Sequence, residues 1–284
     1  SYLTKKIKLG TLTTNLNFFK PATISAIVSQ VDNLSKGRLM LGVGSGANKS
    51  DVEAVDMLEK DNHKIMLEIL AILKKIFYED DGLDINTENF RVSTKKSFNA
   101  DLGLGFFNKL YNNRKNLEIV MPALNKNSYN VKLCAKNQWS IVISNFCSED
   151  IIDNHINNYL EHSELEKNEA LKKIKLSKLI FVSEDKKDLE KRLLDDESPY
   201  LKVVDVIYNK LKTFNKHQCF GENLKDSSDA LKSICLFGDP DQVKDKVLKY
   251  KTKYGSLSSI VFVDVPKTNL KKYDKSLELF AKYV

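Results

Sequence analysis

The run Arg38-Leu39-Met40-Leu41-Gly42-Val43-Gly44-Ser45-Gly46-Ala47 carries an apolar, strand-like segment straight into alternating glycines. Glycine has no Cβ, so another backbone or a phosphate can approach it closely. Two readings of the residues stand side by side: a tight strand-to-helix turn that binds nothing, or a nucleotide or S-adenosylmethionine fingerprint. The fingerprint wants an acidic residue at the end of the next strand to hold ribose hydroxyls. The next strand-like run, Leu117–Met121, lies far downstream and ends in Met-Pro-Ala, which speaks against a Rossmann unit. A second candidate is Asn125-Lys126-Asn127-Ser128-Tyr129-Asn130, which opens the helical pattern of Val131–Ala135. Its free N–H groups and small polar side chains suit an anion, with Lys126 adding charge. Alternatively, Asn127 or Ser128 is a plain N-cap.

Other reactive side chains are scattered. His63 follows the glycine loop and reads either as a phosphate or substrate contact or as a solvated residue. His155, His162 and His217 show no ligand spacing. The cysteines, Cys134, Cys147, Cys219 and Cys235, form no CxxC pair, so no metal site is expected. Cys134 and Cys235 sit in apolar runs as buried thiols, and a reducing cytoplasm is the expected compartment.

These residues must be positioned by a chain of 284 residues, 42% hydrophobic and with a net charge of +7. The apolar share supports a sizeable core rather than a disordered chain. The lysines are dispersed among acidic neighbours, unlike the clustered arginines and aromatics of a nucleic-acid surface. No run approaches the roughly 18 apolar residues of a membrane helix, and no apolar signal segment opens the chain. Ser1 is not Met, and a strand-like run follows almost at once. Two expectations follow: the chain is a fragment, or it is a shortened protein.

Six short apolar runs read as buried parallel strands: Ile7–Thr13, Arg38–Val43, Leu117–Met121, Ser140–Ser144, Lys178–Val182 and Ser259–Val265. Helical patterns alternate with them. Ile24, Ile27, Val28, Val31 and Leu34 build one apolar face, with Pro21 at its first turn and Gly37 at its end. Ile65, Ile69, Ile72, Leu73 and Ile76 mark a second helix, and Ile151, Ile152, His155, Ile156 and Tyr159 a third. Leu189 and Leu193 mark another. Asp239-Pro240-Asp241-Gln242 spells a capping box with Pro at the first helical position. Repeated βα units mean a (β/α)₈ barrel or an open doubly wound sheet. Stretches near 78–116 and 196–233, rich in Asn, Asp and Lys, read as surface insertions in one domain spanning 1–284.

The segment Val31-Asp32-Asn33-Leu34-Ser35-Lys36-Gly37-Arg38 with the glycine run behind it resembles the hallmark stretch of the bacterial luciferase-like flavin monooxygenases. Thr4–Thr11 resembles that family's third strand, and Phe237-Gly238-Asp239-Pro240-Asp241-Gln242-Val243 its Gly-x-Pro-Glu-x-Val motif. The resemblance implies a luciferase-like TIM (β/α)₈ barrel. The six runs would be strands three to eight of it, so the barrel in this chain would be incomplete.

The resemblance also implies a flavin at the C-terminal ends of the strands. Leu12 and Thr13 would flank a cis peptide bond against the ring. Gly44 would leave space beside it, and Ser45 would stand where relatives hold the flavin phosphate with Arg. Ser128 would contact the phosphate, and Asn145 or Phe146 the flavin. The family's catalytic His has no counterpart here, so the catalytic residue is left unassigned. The implied activity is oxidation of a small organic substrate by O₂ with reduced FMN from a separate flavin reductase, in a homo- or heterodimer. A deazaflavin is the other cofactor implied. The alternatives are a non-catalytic flavin-binding or partner subunit of the family and, outside it, a nucleotide- or S-adenosylmethionine-binding open sheet.

Overall fold

A computed structural model describes residues 3–193, 195, 198–213, 217–221, 224–255, 257, 259–263 and 270–284. It divides into two compact units, Ser1–Pro122 and Ala123–Val284.

In the first unit the elements are β1 (Leu9–Gly10), β2 (Thr14–Asn15), α1 (Pro21–Leu34), β3 (Leu39–Gly44), α2 (Lys49–Glu53), α3 (Asn62–Tyr78), β4 (Asp84–Asn86), β5 (Arg91–Ser93) and β6 (Glu118–Ala123). β1, β2 and β6 all pair with β3 in parallel. β4 and β5 form a small antiparallel hairpin inside the 78–116 stretch. α3 buries all five expected residues and adds Met66, Leu70 and Phe77. Asp61 caps it by accepting from the Lys64 N–H at 2.9 Å.

α1 differs from its sequence pattern. Ile24 and Val28 are buried, but Ile27, Val31 and Leu34 are exposed, and Ser25, Ser29 and Asp32 face inward instead. The reason is electrostatic. Asp32 is 0% exposed and takes the Arg114 guanidinium at 2.5 and 3.0 Å and the Tyr111 N–H at 3.0 Å. A bidentate buried pair of this kind fixes the helix rotation, because leaving either charge unpartnered is costly. The two serines satisfy their own hydroxyls on Ala22 and Ala26 carbonyls. Gly37 ends the turn at φ +75°.

The second unit holds α4 (Tyr129–Lys136), β7 (Ser140–Ile143), α5 (Glu149–His162), α6 (Lys167–Leu171), β8 (Ile174–Val182), α7 (Lys186–Leu193), α8 (Pro199–Thr213), α9 (Ser227–Ile234), β9 (Cys235–Gly238), α10 (Pro240–Tyr254), β10 (Ser259–Val263) and α11 (Leu270–Tyr283). β7, β9 and β10 each pair with β8 in parallel. β8 begins four residues earlier than expected, at Ile174, and eight of its nine residues are buried, as a strand covered on both faces requires. β9 was not anticipated as a strand. Residues 264 and 265 of the expected last strand lie outside the described residues. The capping box forms as read: Asp239 Oδ1 accepts from Gln242 N–H at 2.9 Å, and Gln242 Oε1 from Asp239 N–H at 3.1 Å.

The described part of the 196–233 stretch is not a surface insertion. Tyr200, Val204 and Tyr208 of α8 and Ala230, Leu231 and Ile234 of α9 close a core with Phe181, Leu193, Cys219 and Phe220. The apolar spacing of four along α8 was outweighed in the sequence by the surrounding lysines, whose stems cover such a face while their charges stay in water.

No helix among the described residues is long and apolar enough to cross a membrane.

Candidate functional site

The glycine run serves first a crossing of the chain over itself. Of the expected strand Ile7–Thr13 only β1 forms within its bounds, and β2 follows just past its end. Leu9 and Gly10 face Leu39 and Met40, and Thr14 and Asn15 face Val43 and Gly44. The β1–β2 side thus carries one residue more than β3 between these pairings, a bulge. Within it the Leu12–Thr13 peptide bond is cis, where the resemblance placed one. The Thr11 hydroxyl replaces the interrupted ladder: it donates to the Gly42 carbonyl at 3.0 Å and accepts from the Gly42 N–H at 3.1 Å.

The close approach explains two glycines. A Cβ on Gly42 would stand 1.8 Å from the Thr11 carbonyl oxygen, and one on Gly44 would stand 2.5 Å from Thr13 Oγ1 and 3.1 Å from Asn15 Oδ1. On its Cβ side, therefore, Gly44 is packed by Thr13 and Asn15 rather than open to a ring, which corrects the reason expected for its small size. Leu12, by contrast, is 59% exposed, and Gly44 and Ser45 are partly open. Leu12, Thr13, Gly44 and Ser45 come together at this crossing.

The other hallmark residues do framework work. Ser35 donates to the Asp32 carbonyl, and Arg38 donates to the Ser35 and Ile7 carbonyls. Together with the Asp32–Arg114 pair they tie α1, β3 and the chain before β1.

Two residues that sequence reasoning missed hold the loop after β3. Asn17 Nδ2 donates to the Ser45 carbonyl at 3.0 Å and to Asn62 Oδ1 at 2.8 Å. Asn62 Nδ2 donates to the Met57 carbonyl at 2.8 Å. No pattern in the sequence marks Asn17, since carboxamides far apart in the chain give no periodic signal.

In the second unit Ser128 occupies the N-cap of α4 but makes no capping bond with its side chain. Asn127 instead pairs reciprocally with Asn154, its N–H donating at 2.8 Å and its Oδ1 accepting at 3.0 Å. Asn145 sits partly buried in the turn after β7. Among the described residues no group of His, Cys, Asp and Glu is arranged to hold a metal ion.

Several titratable groups of the second unit are strongly perturbed. Lys178 on β8 is 1% exposed, with its Nζ 3.3 Å from the Cys147 carbonyl, 3.5 Å from Glu149 Oε1 and 5.5 Å from the centre of the Tyr250 ring. Burial lowers its pKa against the opposing pull of Glu149. The Tyr250 hydroxyl also donates to Glu149. Burial lowers His155 to about 4 and raises Cys219 to about 12.

Comparison with known proteins points to one family. Residues 1–99 match the family model for luciferase-like monooxygenase. A curated relative, 4-hydroxyprotoasukamycin monooxygenase of Streptomyces nodosus subsp. asukaensis, is 28% identical over 89 residues, 31% of this chain. The match spans only 24% of that relative's length. The luciferase-like fold extends over the whole chain. The oxygenating constituent of 3,6-diketocamphane monooxygenase from the CAM plasmid of Pseudomonas putida, a type II Baeyer-Villiger monooxygenase solved with FMN, superposes with a TM-score of 0.84 at 17% identity. It covers 100% of this chain and 80% of that one. The coenzyme F420-dependent tetrahydromethanopterin reductase from Methanopyrus kandleri gives 0.66 at 16% identity, covering 100% and 84%. At these identities the likeness shows the fold, α/β of the luciferase-like TIM-barrel class.

The residues at the crossing fit a flavin ring in their chemistry. They offer an exposed aliphatic side chain, hydroxyls and backbone amides, without a buried charge that a neutral ring would have to desolvate. Ser45 offers a phosphate only neutral donors.

Proposed function

We propose that this luciferase-like chain is a flavin-dependent monooxygenase component that oxidises a small organic substrate with O₂. What supports the reading is that the segment matching the family, 1–99, contains the whole crossing at which Leu12, Thr13, Gly44 and Ser45 meet. Reduced flavin, supplied by a separate reductase, would deliver two electrons, so that one oxygen atom enters the substrate and the other leaves as water. The chain's own residues bind and shelter. Leu12 offers an apolar contact to one side of the ring. The Thr11–Gly42 bonds hold Leu12 and Thr13 against β3, so the surface they present is set before a ligand arrives. Ser128 and Asn145 are further contacts implied by the resemblance, each to be tried as a separate variant.

A second reading has its own observation. With Ser at position 45, the crossing supplies no cation for a phosphate, which suits a non-catalytic relative; a ring pocket of the same kind would also suit a deazaflavin.

An anaerobic titration with FMN, reduced FMN and a deazaflavin separates the readings, followed by O₂ in the presence of candidate ketones and aldehydes. The monooxygenase reading expects binding of reduced FMN and oxygenated product matched to flavin oxidised. Binding without product, with all electrons recovered as hydrogen peroxide, would sink it in favour of the non-catalytic protein. Binding of the deazaflavin alone would sink it in favour of the other cofactor.

A further inference from the structure

The Asn17 side chain is held at a cost. The residue is 6% exposed, and its Oδ1 is buried with no hydrogen-bond partner. Exchanging the amide nitrogen and oxygen does not relieve this. The Ser45 carbonyl can only accept, and Asn62 must present its Oδ1 to Asn17 because its own Nδ2 serves the Met57 carbonyl. Both neighbours therefore demand the NH₂ of Asn17. A buried acceptor left unmade is unfavourable and works against the two bonds that the amide donates. The net stabilisation left to Asn17 is therefore small.

What the two bonds accomplish is a relay. Ser45 follows β3, Asn17 lies in the turn after β2, Asn62 opens α3, and Met57 precedes it. One carboxamide pair thereby joins three segments at the point where the glycine run leaves the strand. Gly46, immediately after Ser45, adopts φ +84°, a conformation open to many alternatives without such a tether.

We infer that Asn17, acting through Ser45 and Asn62, is a positioning residue that sets the glycine loop for its ligand. The flavin part of this inference rests on the proposed function. The positioning part does not.

The test compares the parent with Asn17→Leu by amide hydrogen exchange over residues 42–48 and by FMN affinity from fluorescence quenching. Losing the tether should speed exchange in that loop and weaken FMN binding, each about tenfold, the equivalent of one hydrogen bond. The thermal midpoint should fall by no more than about 4 °C, because the orphaned acceptor goes as well and the Ser45 and Asn62 acceptors that lose their donor belong to partly exposed residues. Unchanged loop exchange overturns the inference whatever FMN does. So does faster exchange spread over the whole chain with a midpoint fallen further than that, which marks a merely structural residue. Faster exchange confined to the loop, with neither protein binding FMN, keeps the positioning role and removes the flavin reading. If Asn17→Leu does not fold, Asn62→Ala breaks the relay from its partly exposed end, and the same exchange measurement decides.

Discussion

The glycine crossing of the first unit and the β8–α5–α10 layer of the second handle polarity in opposite ways. At the crossing every polar partner named is neutral: the Thr11 hydroxyl, two carboxamides and backbone groups. Its face is partly open, and one acceptor is left unmet. In the layer, a lysine ammonium is sealed beside Glu149, Tyr250 and the Cys147 carbonyl, and Tyr254 and Lys253 both hold Asp153. Perturbed titration often marks a functional site. Here it marks packing, because the shifted groups are enclosed between elements. The candidate site is instead recognised by steric necessity, the close approach of Thr11 and Thr13 to Gly42 and Gly44.

Four experiments can break or sharpen this contrast. The largest effect is expected for Gly42→Ala, whose methyl would overlap the Thr11 carbonyl at 1.8 Å. Backbone must move, and a loss above about 4 kcal/mol is expected in denaturant titration. A loss below 1 kcal/mol would show that the crossing can open.

Next comes an asymmetry in the charged layer. Glu149→Ala leaves Lys178 enclosed without its carboxylate and Tyr250 without its acceptor, and should cost about 3 kcal/mol. Lys178→Met instead leaves a half-exposed Glu149 that water can serve, and should cost under about 1 kcal/mol. Equal losses would mean the pair itself, not the enclosed charge, sets the energy.

The third experiment is pH. His155 is 0% exposed and is lowered from 6.5 to about 4 by burial. The unfolded chain therefore binds a proton first as pH falls. The stability is complete above pH 6.5 and is lost between 6.5 and 4, by about 3 kcal/mol in all. Urea midpoints across that window should fall for the parent and fall less for His155→Phe. Parallel curves would remove His155 as the cause.

The smallest effect tests the neutral site itself. Ser45→Arg supplies a charge-assisted donor and should tighten FMN about tenfold, or 1.4 kcal/mol. It should leave riboflavin, which lacks the phosphate, unchanged. Equal effects on both would place the phosphate away from Ser45.

Much of the architecture was legible along the chain. Apolar runs named the strands except β2, β4, β5 and β9, and periodicity named α3, α5 and α10, because burial on a fixed face imposes a period that any reader of the sequence can see. The family resemblance, carried by three motifs, named the fold class and the place of the cis bond. Three things were not legible. The rotation of α1 was set by Asp32 and Arg114, 82 residues apart, and a single long-range charge pair outweighed three exposed aliphatic side chains. The burial of α8 was hidden among lysines. Asn17 was invisible because its meaning depends on Ser45 and Asn62.

The sequence by itself thus determined most of the strands and helices and where α10 begins, since these follow from local capping and periodic burial. Only the tertiary structure decided what Gly42 and Gly44 make room for and which helix face turns inward. It also decided which carboxamide holds the loop. Each of these is a relation between residues distant in the chain, and no local property of either partner encodes the distance between them.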